Sequence, residues 1–346
     1  MDPQIEKDMS EIAISSKNFS GHDFGLILLT GASGMLGGYI LESLVLLSRL
    51  KIIRLEQIVI PLRSVSIYLK DLEKNNKELI KIIEHSEITK YLEEYEFNTI
   101  FHFSSPSSIS KIHVDLVSVF ETNFLLTVKF CAHLSKTKGK IFFASTGEVY
   151  GPSPQIPTSE NDYSAFSHLE PAGLYAEAKK AAESYMFAHS QKFDYDVFCL
   201  RIFHTFGPGL GLQDPRIFGQ VIRSLSTGVP FQWQSNGTVS RNFLYTLDLV
   251  KAILILSTYV GFNVFNVAGN TEIKMLDFVA IARNMSSINI FPLELRNEYA
   301  EGHTKILRGS ANIDKLMDLG WFPTIDTQEA ILRTLSSQNW RISNNY

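Results

Sequence analysis

The sequence predicts an α/β fold: a doubly wound parallel sheet followed by a smaller C-terminal lobe. Three observations predict it. From Phe24 to Phe206, short runs rich in β-branched and aromatic residues alternate with longer helical patterns. The first run closes on a tight glycine turn, "LLTGASGMLGGYI". After Phe206 the texture changes to "GPGLGLQDPR", with separate helical pieces beyond it. Alternation of this kind is met by parallel strands whose crossover helices cover both faces of the sheet.

Taken in order, residues 1–23 are polar, lack sustained apolar periodicity, and read as an N-terminal extension or an arm packed on the surface. Residues 24–206 then form a dinucleotide-binding domain: "FGLILLT", a helix over Met35 to Ser48, "QIVIPL", "ELIKIIEH", "NTIFHF", a helix over Asp115 to Ser135, "GKIFFAS", a helix over Ala172 to Gln191, and "DVFCLRIF". Residues 207–346 make the substrate-binding lobe, with helices around Phe218 to Ser226, Leu247 to Ser257 and Met275 to Asn284. A late "VFNVAG" strand returns the chain once to the sheet.

Composition narrows the function. The 346 residues are 45% hydrophobic, enough for a sizeable core, and the net charge of −4 is spread without a basic stripe. Nucleic acid and membrane surfaces are therefore not expected partners. "LESLVLLSRLKIIRL" is broken by Arg49, Lys51 and Arg54 and cannot span a bilayer, and "MDPQIEKDMSE" is acidic where a signal peptide begins basic. Two cysteines, Cys131 and Cys199, imply no disulfide framework; the expectation is a cytoplasmic protein. The nine histidines form no His-Glu-x-x-His pattern, so no metal site is expected.

The glycine turn carries the first chemistry. Gly31, Gly34 and Gly37 stand between a strand and a helix start, where unpaired N–H groups and the positive dipole end meet an anion. This is how a doubly wound fold holds a pyrophosphate. Gly31, Ser33, Gly34, Met35, Leu36 and Gly37 are the expected cofactor contacts there. Tyr175 and Lys179, at i and i+4 in "LYAEAKK", share a helical face, so the ammonium is expected to lower the tyrosine pKa and allow proton transfer near neutrality. "IFFASTGEVYG" ends a strand with Ser145 and Thr146, at the sheet edge where a hydroxyl can reach the same substrate oxygen.

Together these motifs resemble the extended short-chain dehydrogenase/reductases that modify nucleotide sugars, a Rossmann-type family. "TGASGMLG", "STGEVYG", "YAEAK", "RIFHTFGPG", "SRNFLYTLDLVKA" and "LGWFP" carry the resemblance, which runs from about Phe24 to about Trp340. It implies that Thr146 and Tyr175 are catalytic, with Lys179 orienting the tyrosine and binding the nicotinamide ribose. Ser104 joins the cofactor set. Ser105, Thr146, His204, Arg216, Arg241 and Arg308 are implied for substrate, and Glu87 corresponds loosely to an acid near the adenine. It also implies a homodimer through a four-helix bundle built on the 115–135 and 172–191 helices. Val119, Phe120, Leu134 and Phe187 are candidates for its seam or for the sheet-facing side.

The cofactor expected is NAD or NADP. Arg63 and Ser64 follow "IVIPL" where an acid would bind ribose hydroxyls, which favours a 2′-phosphate, although Arg63 could instead stack on adenine. The shared first step is oxidation of a nucleotide-linked hexose at C4. Many related 4,6-dehydratases follow the catalytic Ser/Thr with Asp-Glu; here the pair is Gly147 and Glu148. A base is present and the neighbouring acid is not, which fits decarboxylation of a uronate as in UDP-glucuronate decarboxylases. Dehydration, 4-epimerisation, 4-keto reduction and a non-catalytic nicotinamide-binding regulator are the alternatives. Departures from the family text are Leu126 for a glycine, His204 for a frequent asparagine and Gly209 for an arginine.

Overall fold

The computed structural model describes residues 1–14, 22–105, 115–153, 155–163, 168–233, 235–287, 289–292 and 308–337. Strands β1 (Leu26–Thr30), β2 (Gln57–Leu62), β3 (Ile80–Glu84), β4 (Thr99–His102), β5 (Lys140–Thr146) and β6 (Asp196–Ile202) join a late strand, β9 (Phe262–Val267), in one sheet. Its seven strands run in the order β9-β6-β5-β4-β1-β2-β3, every neighbouring pair parallel. The fold is the doubly wound α/β architecture the sequence predicts. The chain leaves β1 toward β3 and then crosses back to β4, so a topological switch lies at the carboxyl ends of β1 and β4, where such sheets bind ligands.

The strands are apolar on both faces because helices cover both. Ile27, Leu29, Phe101, Phe142 and Phe198 enter one core, and their chain neighbours Leu28, Ile100, Ile141, Phe143 and Val197 enter the other. Phe101, Phe142 and Phe198 stack at 5.0 and 4.9 Å between ring centroids, a ladder across β4, β5 and β6. Cys131 and Cys199 are both buried and free.

Helices α1 (Pro3–Ile14), α2 (Met35–Arg49), α3 (Ile67–Lys74), α4 (Ile88–Glu94), α5 (Leu116–Phe120), α6 (Leu126–Thr137) and α7 (Pro171–Phe193) precede β6. A π turn over Glu121–Leu125 joins α5 to α6, which Leu126 opens. Of the four residues considered for a dimer seam, Val119 and Leu134 are fully buried and therefore belong to the core, Phe120 packs partly against it, and Phe187 is exposed. Past β6 come α8 (Ile217–Thr227), α9 (Thr246–Leu256), α10 (Met275–Asn284), α11 (Asp314–Met317) and α12 (Thr327–Ser336). A second, small sheet is centred on β8 (Ser240–Tyr245), which pairs with β7 (His204–Phe206), β10 (Glu272–Lys274) and β11 (Arg308–Gly309).

The N-terminal segment departs from the expectation of an aperiodic surface arm. It is a helix whose Ile5, Met9 and Ile12 are buried in the main core. The i, i+4, i+7 spacing was present in the sequence, but only three apolar positions among acids and lysine carry it. Among the described residues no helix is long and apolar enough to cross a membrane, and no group of His, Cys, Asp and Glu could hold a metal.

Candidate active site

The glycine turn lies at the switch point. Gly31 takes φ +83°, and a Cβ there would come within 2.5 Å of the Phe103 carbonyl carbon, so β1 can pass this close to the segment after β4 only as glycine. A Cβ on Gly37 would sit 2.2 Å from the Gly31 carbonyl oxygen, which fixes how tightly α2 folds back on the turn. Gly34 is different: only the Gly31 oxygen lies nearby, at 3.4 Å, and it opens α2 without a side-chain cap. The first N–H groups of α2 have no intrahelical acceptors, and Gly34, Met35, Leu36 and Gly37 line the cleft.

Strand alternation sorts the two hydroxyls at the end of β5. Ser145 donates to Glu183 Oε1 at 2.5 Å, and Glu183 is paired with Arg201 at 2.7 Å. Thr146, one residue on, faces the opposite way. Its Oγ1 accepts the Glu148 N–H at 3.2 Å and, with Ser105, hydrogen-bonds the Tyr175 hydroxyl. Tyr175 and Lys179 both line the cleft from α7.

Their electrostatics differ from the simple expectation. Burial pushes the Tyr175 phenol up to about 12; Ser105, Thr146 and Arg216 oppose the rise and Glu148 adds to it. The expected lowering by Lys179 is not found. Its ammonium donates to the Ala144 carbonyl, lies 4.4 Å from the Phe143 ring centroid, and is itself brought down to about 7 by burial, with Glu183 opposing. Spacing put the two on one helical face, but desolvation outweighs any attraction between them.

Beside Thr146, a 3₁₀ turn (Gly147–Tyr150) carries Glu148. Burial raises the Glu148 carboxyl above its ordinary range, and Arg241 opposes the shift. A Cβ on Gly147 would lie 2.8 Å from the Phe203 ring, so that ring occupies the space an acidic side chain at 147 would need. Phe203 is a cleft residue that sequence reasoning missed, because a phenylalanine after an apolar strand looks like core.

The far wall is cationic. Arg216, Arg241 and Arg308 all line the cleft. Arg241 is buried, donates to the Ser240 carbonyl at 2.7 Å, and passes 3.1 Å from where a Gly309 Cβ would be. Arg308 makes a two-pronged pair with Glu272 at 2.6 and 2.7 Å, and Arg216 pairs with Asp214. His204 stands among them, half-buried, and desolvation, with Arg241 and Arg216, holds its pKa well below the ordinary value, which favours the neutral imidazole.

Comparison with known proteins places this geometry. Residues 27–268, more than half of the chain, match the NAD dependent epimerase/dehydratase family. The chain belongs to that family. UDP-glucuronic acid decarboxylase 1 of Danio rerio is 26% identical over 69% of this chain, a match spanning 57% of the Danio protein's own length. The dTDP-D-glucose 4,6-dehydratase of Bos taurus is 26% identical over 91% of this chain and 90% of its own. The solved UDP-glucuronic acid 4-epimerase of Bacillus cereus, in complex with UDP-glucuronic acid and NAD, superposes with a TM-score of 0.73 at 20% identity, covering 90% of this chain and 98% of that one.

An NAD-dependent epimerase/dehydratase must hold a dinucleotide, and these residues fit one. The turn offers uncapped N–H groups, open space at Gly34, and next to it Ser104, whose buried Oγ has no hydrogen-bond partner among the described residues. Its backbone N–H donates to Thr30 Oγ1 at 3.3 Å. Met35, Leu36, Gly37, Tyr175 and Lys179 line the cleft, whereas Ser33, Arg63, Ser64, Glu87 and Ser104 itself lie outside its lining. Ser33, Arg63 and Ser64 are exposed, the latter two just past the carboxyl end of β2. Glu87 does not present a free carboxylate: it accepts the Glu84 N–H at 3.0 Å in a capping box that closes its own turn. Of the substrate candidates, Ser105, Thr146, His204, Arg216, Arg241 and Arg308 are all brought to one cleft.

Proposed function

We propose that this epimerase/dehydratase oxidises the sugar of a nucleotide-linked uronate at C4 and then releases its carboxylate as CO2. The observation that carries the reading is the Tyr175 hydroxyl, held by Ser105 and Thr146 between the glycine turn and the three arginines. When bound, NAD supplies a hydride acceptor for C4. Tyr175, as the phenolate that a bound nicotinamide cation would favour electrostatically against the effect of burial, takes the C4 hydroxyl proton while Thr146 and Ser105 hold the same oxygen. The ketone makes the C6 carboxylate a β-keto acid. Its C5–C6 bond then breaks with the electron pair passing to the C4 oxygen, and CO2 leaves. Glu148, whose raised pKa suits it to carry a proton, returns one to C5.

Phe203 favours this over dehydration, since loss of the C6 hydroxyl needs an acid where the Phe203 ring lies beside Gly147. The alternative is 4-epimerisation, for which Thr146, Tyr175 and Lys179 suffice. Arg241, Arg308 and Arg216 are assigned to the diphosphate or the sugar. Arg63 is assigned to the adenosine end, where a 2′-phosphate would give NADP preference over NAD; titrating the two cofactors into wild type and Arg63→Ala decides it. The functional unit is proposed to be a homodimer.

Incubation with NAD and a panel of UDP-, dTDP-, GDP- and CDP-sugars, uronates included, followed by mass analysis tests the reaction. Loss of CO2 from a uronate is expected, together with the two hydrogens removed at C4 unless the hydride is returned there. Loss of water from a hexose, or an isomer of unchanged mass, would replace decarboxylation with dehydration or epimerisation.

A further inference from the structure

Asp8 lies on α1, outside the residues matched to the family, and is fully buried. Its carboxylate receives four donors. The hydroxyls of Tyr39, on α2, and Tyr245, at the end of β8, both reach Oδ2 at 2.7 Å. Gln4 Nε2 from the same helix and Arg333 Nη1 from α12 both reach Oδ1 at 2.8 Å. Arg333 in turn holds Glu11 at 2.9 Å and Glu329 at 2.7 Å.

Two of these donors belong to the elements that build the two halves of the cleft. Tyr39 follows Gly37 by two residues on the helix that begins at the glycine turn. Tyr245 follows Arg241 by four on the same strand. Their rings meet edge to face at 6.4 Å, and one carboxylate oxygen bonds both hydroxyls. Packing alone would be served by an apolar side chain at position 8, without the desolvation cost of a buried charge. Four converging donors do something else: they fix direction as well as contact.

We infer that Asp8 is a positioning residue, which through Tyr39 and Tyr245 sets the dinucleotide helix against the arginine-bearing strand. The family-matched region thus depends for its cleft geometry on a helix that precedes it. The inference rests on the nucleotide-sugar reading only for the choice of a second ligand.

Asp8→Asn keeps the shape but removes the charge: turned to Gln4 and Arg333 its NH2 group meets two donors, and turned to the tyrosines it requires both hydroxyls to reverse and accept. Calorimetric binding of NAD and of UDP, each alone and in the presence of the other, is compared in wild type, Asp8→Asn, Tyr245→Phe and Met9→Ala. Met9→Ala removes only apolar contact from the same helix. Asp8→Asn is expected to raise both dissociation constants by about tenfold and to abolish any mutual effect of the ligands. Tyr245→Phe should shift them in the same direction by less, while Met9→Ala lowers the melting temperature and moves neither. Unchanged affinities in Asp8→Asn, or equal affinity losses in Met9→Ala, would overturn the inference. Should Asp8→Asn not fold, Tyr245→Phe carries the same two outcomes. Wild type that binds NAD but not UDP counts against the nucleotide-sugar proposal, and the NAD arm alone then decides the role of Asp8.

Discussion

Tyr175 and Lys179 share one turn of α7, yet burial moves their proton affinities in opposite directions, the phenol up to about 12 and the ammonium down to about 7. In both cases the neutral form is favoured. For Lys179 the folded chain gives up its proton near pH 7, whereas the unfolded chain keeps it to its ordinary value of 10.5. Across that window the unfolded state binds more protons, so this group's destabilising contribution is full below pH 7 and fades as pH rises. Without cofactor, wild type should therefore gain stability relative to Lys179→Met between pH 7 and about 9, below the range where Tyr175 titrates. Urea midpoints measured across that range check it; parallel curves would mean that Lys179 keeps its ordinary affinity. Tyr175→Phe tests the proposed proton transfer directly. It is expected to lower kcat by at least about a hundredfold while NAD affinity stays within about twofold of wild type, and a fully active variant would remove Tyr175 from the chemistry.

Two short elements, the glycine turn and the 3₁₀ turn after β5, have their side-chain choices dictated by neighbours. In the first, Gly37 abuts the Gly31 carbonyl, backbone against backbone, so neither can yield by rotating a side chain. Gly37→Ala should cost about 1–3 kcal/mol and weaken NAD binding by tenfold or more, read by calorimetry and thermal melting. Wild-type affinity would show that α2 can slide away from the turn. In the second, the obstacle is the Phe203 ring, which is movable. Gly147→Asp alone is expected to destabilise the protein without producing water loss from a dTDP-hexose. Combined with Phe203→Ala it should regain stability, because the ring that blocked the carboxylate is gone. A single Gly147→Asp variant as stable as wild type would show that Phe203 does not fill that space.

At the scale of the whole molecule, the proposed homodimer needs an apolar face, and the exposed apolar side chains of the two expected helices are the candidates for it. Val117 on α5, Leu125 in the π turn and Phe187 on α7 are 69%, 52% and 52% exposed, while Val119 on α5 and Leu134 on α6 are buried. Light scattering should give twice the chain mass of 39.0 kDa, and Leu125→Glu with Phe187→Glu should give the single-chain mass with the fold retained. A monomeric wild type would assign that face to something else.

The fold, and the residues that meet in the candidate cleft, were legible in the chain itself. Periodicity announced the strands from Leu26 to Ile202 and the late return at Phe262–Val267, because strands buried on both faces must be continuously apolar. The glycine turn, Thr146, Tyr175 and Lys179 were legible for a similar reason: a backbone approach and an i, i+4 pair are local constraints that leave local marks. Short helices such as α3 and α4, and strands of two or three residues such as β10 and β11, carry too few positions to show a period. Other features depend on distant partners. The buried face of α1, the Phe203 ring beside Gly147, the folding back of Glu87, and the four donors on Asp8 join residues far apart in sequence. The pKa of Tyr175 belongs with them, because desolvation is summed over every segment that packs around a group and no spacing along the chain encodes it.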